Sequence, residues 1–334
     1  MNKLMKWTTV ITCLFTAAAM TLVLYFAANK VIVVAEDGSF SGSAEGYEKH
    51  YLLLSDDQAK ENVISIPISG NVKSEGIRIR NIDLYQGVEI SLSGTSLGYY
   101  ENAPVTVERG VIKEAYCVEE NGTVTIRLNF EHVKECSSRI NGNMLQIVMQ
   151  DPAEIYDRII FVDERSGRGM FQDQAEILTS VAAAVKTQLS DEKVKVYETS
   201  SEDGVVDDER ILRFLEDVPV TLFVKLTLSS GPDQETFGIS TYYNEQFFIP
   251  TLSNSRFAQI MAYETAVKSQ NAILACEPCG EESILRNIRV PACELSLGCI
   301  TNAAESEMLG RGDYRAMLSQ GVVTAIGDAL EELK

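Results

Sequence analysis

Residues 291–302 read PACELSLGCITN, and this stretch of small and apolar residues decides how the second half of the chain is interpreted. Within it, Glu294 and Ser296 are two residues apart. On a β-strand, residues with this spacing point to the same face of a sheet and lie about 6.6–6.8 Å apart along the chain. Direct proton transfer requires a distance of ~3 Å. Glu294 is therefore too far away to act as an acid or base in place of a side chain at position 296.

Strands and helical patterns alternate around this stretch from residue 159 onward. The strand-like segments are IIFVD (159–163), VKVYET (194–199), VTLFVKLTL (220–228) and FGISTYY (237–243). Apolar residues at helical spacing predict helices at about 173–189, 211–215, 255–268 and 314–333. The alternation predicts an α/β fold over residues 151–334, with a mixed, largely parallel sheet flanked by helices.

Residues 62–150 follow a different rule, because polar and apolar residues alternate with a period of two. The segments ISIPI, VEISLS and TVTIRLNF are typical of half-buried strands, so this region predicts a smaller all-β domain, a sandwich or a barrel. Glu120-Asn121-Gly122 stands between two such segments and predicts a tight hairpin turn.

The beginning of the chain predicts a membrane anchor. Residues 7–28 carry no charged side chain, and as a helix these ~22 residues span the ~30 Å hydrocarbon core. Lys3 and Lys6 precede the run, so residues 1–30 are expected to be a cytoplasmic start and single-pass anchor, with the bulk of the chain outside the cytoplasm. A cleaved signal peptide is the alternative, although its apolar run is usually only about 7–15 residues. Residues 31–61 have the composition of a linker.

The net charge of −19 and the pI near 4.6 exclude a typical nucleic-acid partner, because phosphate binding depends on clustered Lys and Arg. Six cysteines follow the apolar run, and their spacing fixes no disulfide pairing. They are interpreted as structural or free thiols, or as disulfide partners, and less readily as a metal site that begins at the CxxC of residues 276–279. The six are Cys117, Cys136, Cys276, Cys279, Cys293 and Cys299.

The stretch at 291–302 resembles the last signature of the zinc-dependent N-acetylmuramoyl-L-alanine amidases (amidase_3 type), P-A-V-L-V-E-L-G-F-L-S-N. The residues that match outright are Pro291, Ala292, Leu297, Gly298 and Asn302. The catalytic Glu of that signature falls on Ser296. The resemblance implies that the segment is a buried strand and turn whose catalytic carboxylate has been replaced.

Five earlier segments resemble the other signatures of the family, and along the chain they occur in family order. IIFVDERSGRG resembles I-V-I-D-P-G-H-G-G, with the first zinc His replaced by Ser166. DQAEILTSVA resembles E-K-D-x-x-L-x-x-A, and the zinc Glu corresponds to Asp173. TLFVKLT resembles F-I-S-I-H, with Thr227 in place of the second His, and FGISTYY resembles G-x-E-x-Y-Y. VDDERI further resembles L-x-x-R through Arg210.

The resemblance implies that the chain keeps the family's fold but lacks the residues that its zinc chemistry requires. The family holds Zn²⁺ with two imidazoles and a carboxylate, whereas this chain has only His50 and His132, both before the amidase-like region. Hydroxyls at Ser166 and Thr227 are poor, uncharged zinc ligands. We therefore predict no cofactor, no metal ligands and no catalytic residues. Glu164 and Arg165, which follow the first strand, are expected to be a solvated pair in a loop.

The β-rich region resembles the AMIN-type module that often precedes amidase domains and targets them to the envelope or wall polymer. The sequence thus predicts an anchored envelope protein with a degenerate amidase domain that binds peptidoglycan or envelope partners. Two alternatives stay open. One is an active amidase with an altered metal site that draws on Cys276, Cys279, Cys293 or Glu294, and the other is a structural envelope scaffold.

Overall fold

The computed structural model describes residues 48–165, 172–199, 206–247 and 249–333. The predicted anchor at 7–28 and Ser166 lie outside these residues, and so does the side chain of Asp173. None of the described helices has the length and apolar composition that crossing a bilayer requires. The chain divides into two units, Met1–Asp151 and Pro152–Lys334, and each is built around its own core.

The first unit is a sandwich of two five-stranded sheets, in the orders β1-β7-β8-β5-β4 and β2-β6-β3-β10-β9. Its strands are β1 (His50–Tyr51), β2 (Leu54–Ser55), β3 (Val63–Pro67), β4 (Ile77–Ile82), β5 (Gly87–Ser93), β6 (Val105–Thr106), β7 (Ile112–Glu120), β8 (Thr123–Phe130), β9 (Glu135–Asn141) and β10 (Met144–Gln150). A short helix, α1 (Leu97–Tyr100), and 3-10 turns at Ser74–Gly76 and Asp83–Tyr85 connect them. Every second residue of β5, β8, β3 and β10 enters one shared core, so the all-β prediction is confirmed.

The predicted hairpin is confirmed. β7 and β8 pair antiparallel, with Glu120 opposite Thr123. The two residues between them, Asn121 and Gly122, have φ of 50° and 75°. A tight hairpin turn needs this left-handed backbone, and Asn and Gly adopt it most readily.

The linker predicted at 31–61 is too long at its C-terminal end. His50–Tyr51 pairs with β7 and Leu54–Ser55 pairs with β6, so this segment joins both sheets. Leu52 and Leu54 are only 3% and 4% exposed. Burial of these two leucines recruits the segment into the sandwich despite the polar composition around it.

The second unit is a six-stranded sheet in the order β12-β11-β13-β16-β14-β15. Its strands are β11 (Arg158–Asp163), β12 (Val194–Glu198), β13 (Leu222–Ser229), β14 (Ile239–Tyr243), β15 (Ile273–Pro278) and β16 (Ala292–Cys299). Its helices are α2 (Pro152–Ile155), α3 (Gln172–Leu189), α4 (Asp208–Asp217), α5 (Asn254–Ser269), α6 (Ala303–Gly310) and α7 (Gly312–Glu332), with a 3-10 turn at Ile284–Asn287. Only β14 against β16 is antiparallel, so the predicted mixed, largely parallel sheet is confirmed.

The two faces of this sheet differ in polarity. One face packs Val162, Val224 and Leu295 against buried apolar residues of α3, α5 and α7. On the other face Phe161 stacks on Phe223 at 5.5 Å and contacts Phe214 of α4. Two residues further along the same strands this second face becomes polar, at the carboxyl ends of the parallel strands. Ligands of open α/β sheets generally bind at that edge.

Candidate functional site

Two of the four positions assigned to the zinc and catalytic residues lie side by side. Thr227 on β13 is in register with Ser296 on β16, and Ser296 is in register with Ser240 on β14. The three hydroxyls form a row across three neighbouring strands. Ser240 and Ser296 are each only 1% exposed. The Ser296 hydroxyl donates to the Gly298 carbonyl, whereas the Ser240 hydroxyl has no hydrogen-bond partner within the described residues.

An ion pair lies beside this row. Lys225 is in register with Glu294, and its Nζ donates to Oε2 of Glu294 at 2.9 Å. The Thr227 hydroxyl lies 3.4 Å from Oε1 of the same carboxylate. The two charged side chains are 24% and 20% exposed, so solvent reaches this pair while the serines beside it are closed off. Glu294 is therefore neutralised by an ammonium group on the adjacent strand.

A second ion-pair network ends strand β11. Asp163 is fully buried and in register with Lys225. Arg165 turns back onto it, donating from Nε at 2.7 Å and from Nη2 at 2.8 Å to the two carboxylate oxygens. Its Nη2 also donates to Asp208 at 2.8 Å and its Nη1 to the Val206 carbonyl. Burial alone would lower the pKa of the guanidinium, but the bonds to Asp163 and Asp208 outweigh burial and raise that pKa.

Glu164 does not form the solvated pair with Arg165 that the sequence predicts, and this prediction is wrong. Its side chain is 6% exposed and accepts a hydrogen bond from the Thr199 N–H at 2.9 Å. The Glu164 N–H donates in return to the Thr199 hydroxyl at 3.2 Å. Burial raises the pKa of the Glu164 carboxyl to about 8, so the group is protonated at neutral pH. The reciprocal bonds tie the ends of β11 and β12 together.

Of the remaining candidate positions, the structure describes the backbone of Asp173 and both histidines. Asp173 belongs to the first turn of α3 by its backbone, and Ser166 precedes that helix outside the described residues. Both histidines lie in the first unit, His50 on β1 and His132 between β8 and β9. Thr227 and Ser296 thus lie on neighbouring strands, whereas Ser166 and the side chain of Asp173 lie outside the described residues.

All six candidate cysteines are free thiols in the structure. Cys276 on β15 and Cys293 on β16 are separated by β14, which places their backbones about 10 Å apart, beyond the ~4.4–6.8 Å that a disulfide spans. Cys117 and Cys136 lie in different sheets. Burial raises the pKa of Cys117 to about 11 and of Cys136 to about 12, and it raises that of Cys293 well above its usual value. These three thiols are therefore protonated and poor metal ligands.

An altered metal site made from Cys293 and Glu294 is not supported by their positions. The two residues are adjacent on β16, so their side chains point to opposite faces of the sheet. Cys293 packs in the helix-covered core, and Glu294 lies on the polar face with Lys225. In the part of the chain that the structure describes, no cluster of three or more His, Cys, Asp and Glu side chains is arranged to hold a metal.

The zinc ion that the resemblance implies does not fit the residues present. The second unit contains no histidine, and the described polar face offers hydroxyls and one carboxylate that already binds an ammonium. A divalent cation beside Lys225 would be repelled by that ammonium and would have no imidazole to replace its water. Within the described residues, this polar face can donate and accept hydrogen bonds through its hydroxyls and through the Lys225–Glu294 pair.

One protein-family model matches most of the second unit. Residues 165–328 match the family model described as N-acetylmuramoyl-L-alanine amidase. No curated protein matches the chain. Among solved structures, the chain is similar to the catalytic domain of CwlV from Bacillus (Paenibacillus) polymyxa var. colistinus, with 20% identity and a TM-score of 0.46 over 52% of this chain and 98% of that one.

Two further amidases are also similar in structure. One is from Clostridium difficile 630, with 15% identity and a TM-score of 0.47 over 52% of this chain and 97% of that one. The other is CwlD from Clostridioides difficile, solved in complex with the GerS lipoprotein, with 13% identity and a TM-score of 0.40 over 52% of this chain and 99% of that one. By the match of residues 165–328 to this family model, the second unit of this chain carries an N-acetylmuramoyl-L-alanine amidase-type domain.

Proposed function

We propose that this chain is a cell-envelope protein whose amidase domain no longer hydrolyses and instead binds peptidoglycan or an envelope partner. The observation that carries the proposal is the Lys225–Glu294 ion pair beside the Thr227 and Ser296 row. The positive charge of Lys225 and the uncharged hydroxyls of Thr227 and Ser296 occur where the family's chemistry would need a zinc ligand and a catalytic carboxylate.

The chemistry of amide hydrolysis supports the loss of catalysis. A zinc amidase lowers the pKa of a bound water and moves its proton with a carboxylate. Here both carboxylate oxygens of Glu294 already accept hydrogen bonds, one from the Lys225 ammonium and one from the Thr227 hydroxyl. Ser296 is buried and donates only within its own turn. Neither residue performs the role of the catalytic Glu.

The same face retains features of a binding site. Lys225, Thr227 and Glu294 are partly exposed at the carboxyl ends of parallel strands, where they present a donor, a hydroxyl and an acceptor. Peptidoglycan carries amide, hydroxyl and carboxylate groups that such side chains can bind. The proposal extends to the rest of the chain, with residues 7–28 as a single-pass anchor, a cytoplasmic N-terminus and the bulk outside the cytoplasm. The first unit is proposed to be an AMIN-like targeting module.

The burial of Ser240 and Ser296 favours a second candidate function. Each of these two serines is 1% exposed, so solvent does not reach this part of the hydroxyl row. A structural envelope scaffold with a filled cleft would have this property, and it would not need to bind peptidoglycan.

The test uses the full chain in detergent, with zinc measured by mass spectrometry and muramoyl peptide release measured on purified peptidoglycan. We expect no stoichiometric zinc, no released peptide and co-sedimentation of the protein with peptidoglycan. Tight zinc binding together with cleavage would overturn the proposal in favour of an active amidase. A protein that stays in the supernatant would exclude peptidoglycan as the ligand and would leave an envelope partner or the scaffold.

A matched pair of variants locates the binding face. Thr227→Val removes the half-buried hydroxyl beside Glu294 at nearly constant volume, and we expect it to weaken co-sedimentation. Thr324→Val removes a hydroxyl that donates within α7, and it is expected to sediment like the parent chain. Equal sedimentation of all three proteins would show that the polar face is not the binding face.

A further inference from the structure

One edge of the six-stranded sheet is exposed and apolar. β15 closes this edge and β12 closes the other. β12 carries Lys195, whose ammonium lies over the ring of Tyr197, and two of its residues are buried. In β15, by contrast, Ile273 and Leu274 are 48% and 46% exposed. Natural sheets usually protect their edges with charges, bulges or covering segments. An exposed, apolar edge such as β15 is therefore available to pair with another polypeptide segment.

Other exposed apolar side chains lie in the segments that precede the same strand along the chain. Tyr263 and Val267 lie on the last turns of α5, which leads into β15, and are 58% and 52% exposed. Phe237 is 51% exposed and precedes Gly238, whose Cα faces Leu274 so closely that a Cβ added there would lie 3.3 Å from the Leu274 Cβ. These are the five large apolar side chains that the described part of the second unit exposes. Three of them, Phe237, Ile273 and Leu274, lie together at the β15 edge, and such a cluster is typical of an interaction surface.

The charges around this edge are predominantly negative. Asp233 stays ionised, because hydrogen bonds from the Thr236 hydroxyl and the backbone lower the pKa of its carboxyl. The loop before Phe237 and β15 itself carry three acidic residues, Asp233, Glu235 and Glu277, and no cation. The chain as a whole carries −19. A second copy would bring like charges together, whereas a basic partner complements them.

We infer that the outer edge of β15 is a docking surface for an extended, basic and apolar segment of a partner protein, which pairs with β15 as an added strand. Backbone pairing would supply affinity, as in other cases of strand addition. Apolar side chains of the partner would cover Ile273 and Leu274, and its Lys or Arg residues would meet the acidic rim. This surface is separate from the polar face around Lys225, so the inference does not depend on the proposed function.

The test measures binding of a short synthetic peptide that alternates valine and lysine to the full chain. Fluorescence anisotropy gives the affinity, and hydrogen exchange locates the peptide. We expect saturable binding that weakens with added salt, because the charges are exposed, and slower exchange of the backbone amides in β15. Unchanged exchange in β15 on saturation would overturn the inference.

Variants separate this surface from general adhesion. A double variant, Ile273→Lys with Leu274→Lys, is expected to weaken peptide binding by roughly tenfold or more. The control is Ile140→Lys on β9, because Ile140 is also 46% exposed on an edge strand but lies in the first unit. It should bind the peptide like the parent chain. Equal loss in both variants would overturn the inference.

Two further measurements test the chosen occupant. A peptide that alternates valine and glutamate should not bind, and equal affinity for both peptides would overturn the assignment to a basic partner. Light scattering of the purified full chain should show no self-association that the double lysine variant abolishes. If it does show such association, the occupant of the edge is a second copy of the chain and the inference fails.

Discussion

The Nζ of Lys225 lies 2.9 Å from Oε2 of Glu294 on the neighbouring parallel strand, although the two residues are 69 positions apart in the chain. This ion pair depends on the register of β13 with β16, which also places Thr227 opposite Ser296. The polar face is thus an ordered arrangement in which the charges of Lys225 and Glu294 balance each other. Its stability can be tested directly.

Replacing Lys225 with Met is expected to destabilise the fold by about 1–3 kcal/mol, because the mostly buried carboxylate of Glu294 would lose its ammonium partner. Lys225→Arg keeps a cation there and should cost less. Urea denaturation of both variants gives the difference. Equal stability of the Met and Arg variants would show that the pair contributes nothing to folding.

Replacing Arg165 with Met is expected to cost more, about 3–5 kcal/mol, because Asp163 is fully buried and would lose both bonds to the guanidinium. The control is Arg256→Met, which removes a bidentate pair with Glu332 on the surface and should have little effect, since exposed ion pairs contribute little. Thermal or urea unfolding measures both. A similar loss in the two variants would contradict the assignment of Arg165 to a buried network.

The Glu164 carboxyl predicts a pH dependence of stability. Its pKa is raised from 4.5 to about 8 in the folded chain, because burial disfavours its charged form. Its contribution is therefore complete below pH 4.5 and is lost as the pH rises toward 8. The loss approaches about 1.4 kcal/mol per pH unit within that window.

The measurement is the free energy of unfolding of the parent chain and of Glu164→Gln between pH 5 and 8. The stability difference should shift in favour of the variant as the pH rises, because an amide does not ionise. Glu216→Gln, at an exposed position of α4, is the control and should follow the parent chain. Parallel profiles of the parent chain and Glu164→Gln would contradict a raised pKa at this carboxyl.

Glu305 is a buried carboxylate that only accepts hydrogen bonds in the described structure. The Gly238 N–H donates to it at 3.1 and 3.2 Å, the Cys299 N–H at 2.7 Å, and the Asn271 amide also donates. Glu305→Gln keeps the shape but points an NH₂ group at these donors, so we expect a loss of about 1–3 kcal/mol. Glu307→Gln on the same helix is exposed and serves as the control. Chemical denaturation that finds both variants as stable as the parent chain would refute this role.

The elements that follow a clear period were predictable from the sequence. The β7–β8 hairpin has alternating strands and an Asn-Gly turn, and the parallel strands of the second unit are apolar runs between helical patterns. The resemblance singled out Thr227 and Ser296 as residues of one site, but their pairing on adjacent strands is seen only in the structure.

Other features have no local signal. β15 reads ILACEP, which neither alternates nor forms an apolar run, and its CxxC pattern drew attention to the cysteines instead. β1 and β2 are two-residue strands, too short for any period. The burial of Glu164 and the pairing of Lys225 with Glu294 depend on strand register, which is fixed by packing between distant segments.

The short strands β1 and β2 have a mechanical consequence. Each lies at the edge of a different sheet, one paired antiparallel with β7 and the other parallel with β6. A pulling force applied at residue 48 would act first on the hydrogen bonds between β1 and β7 and next on those between β2 and β6. The buried side chain of Leu52 lies between these two short strands in the chain. The sandwich would then yield in two small steps under tension before its long strands part.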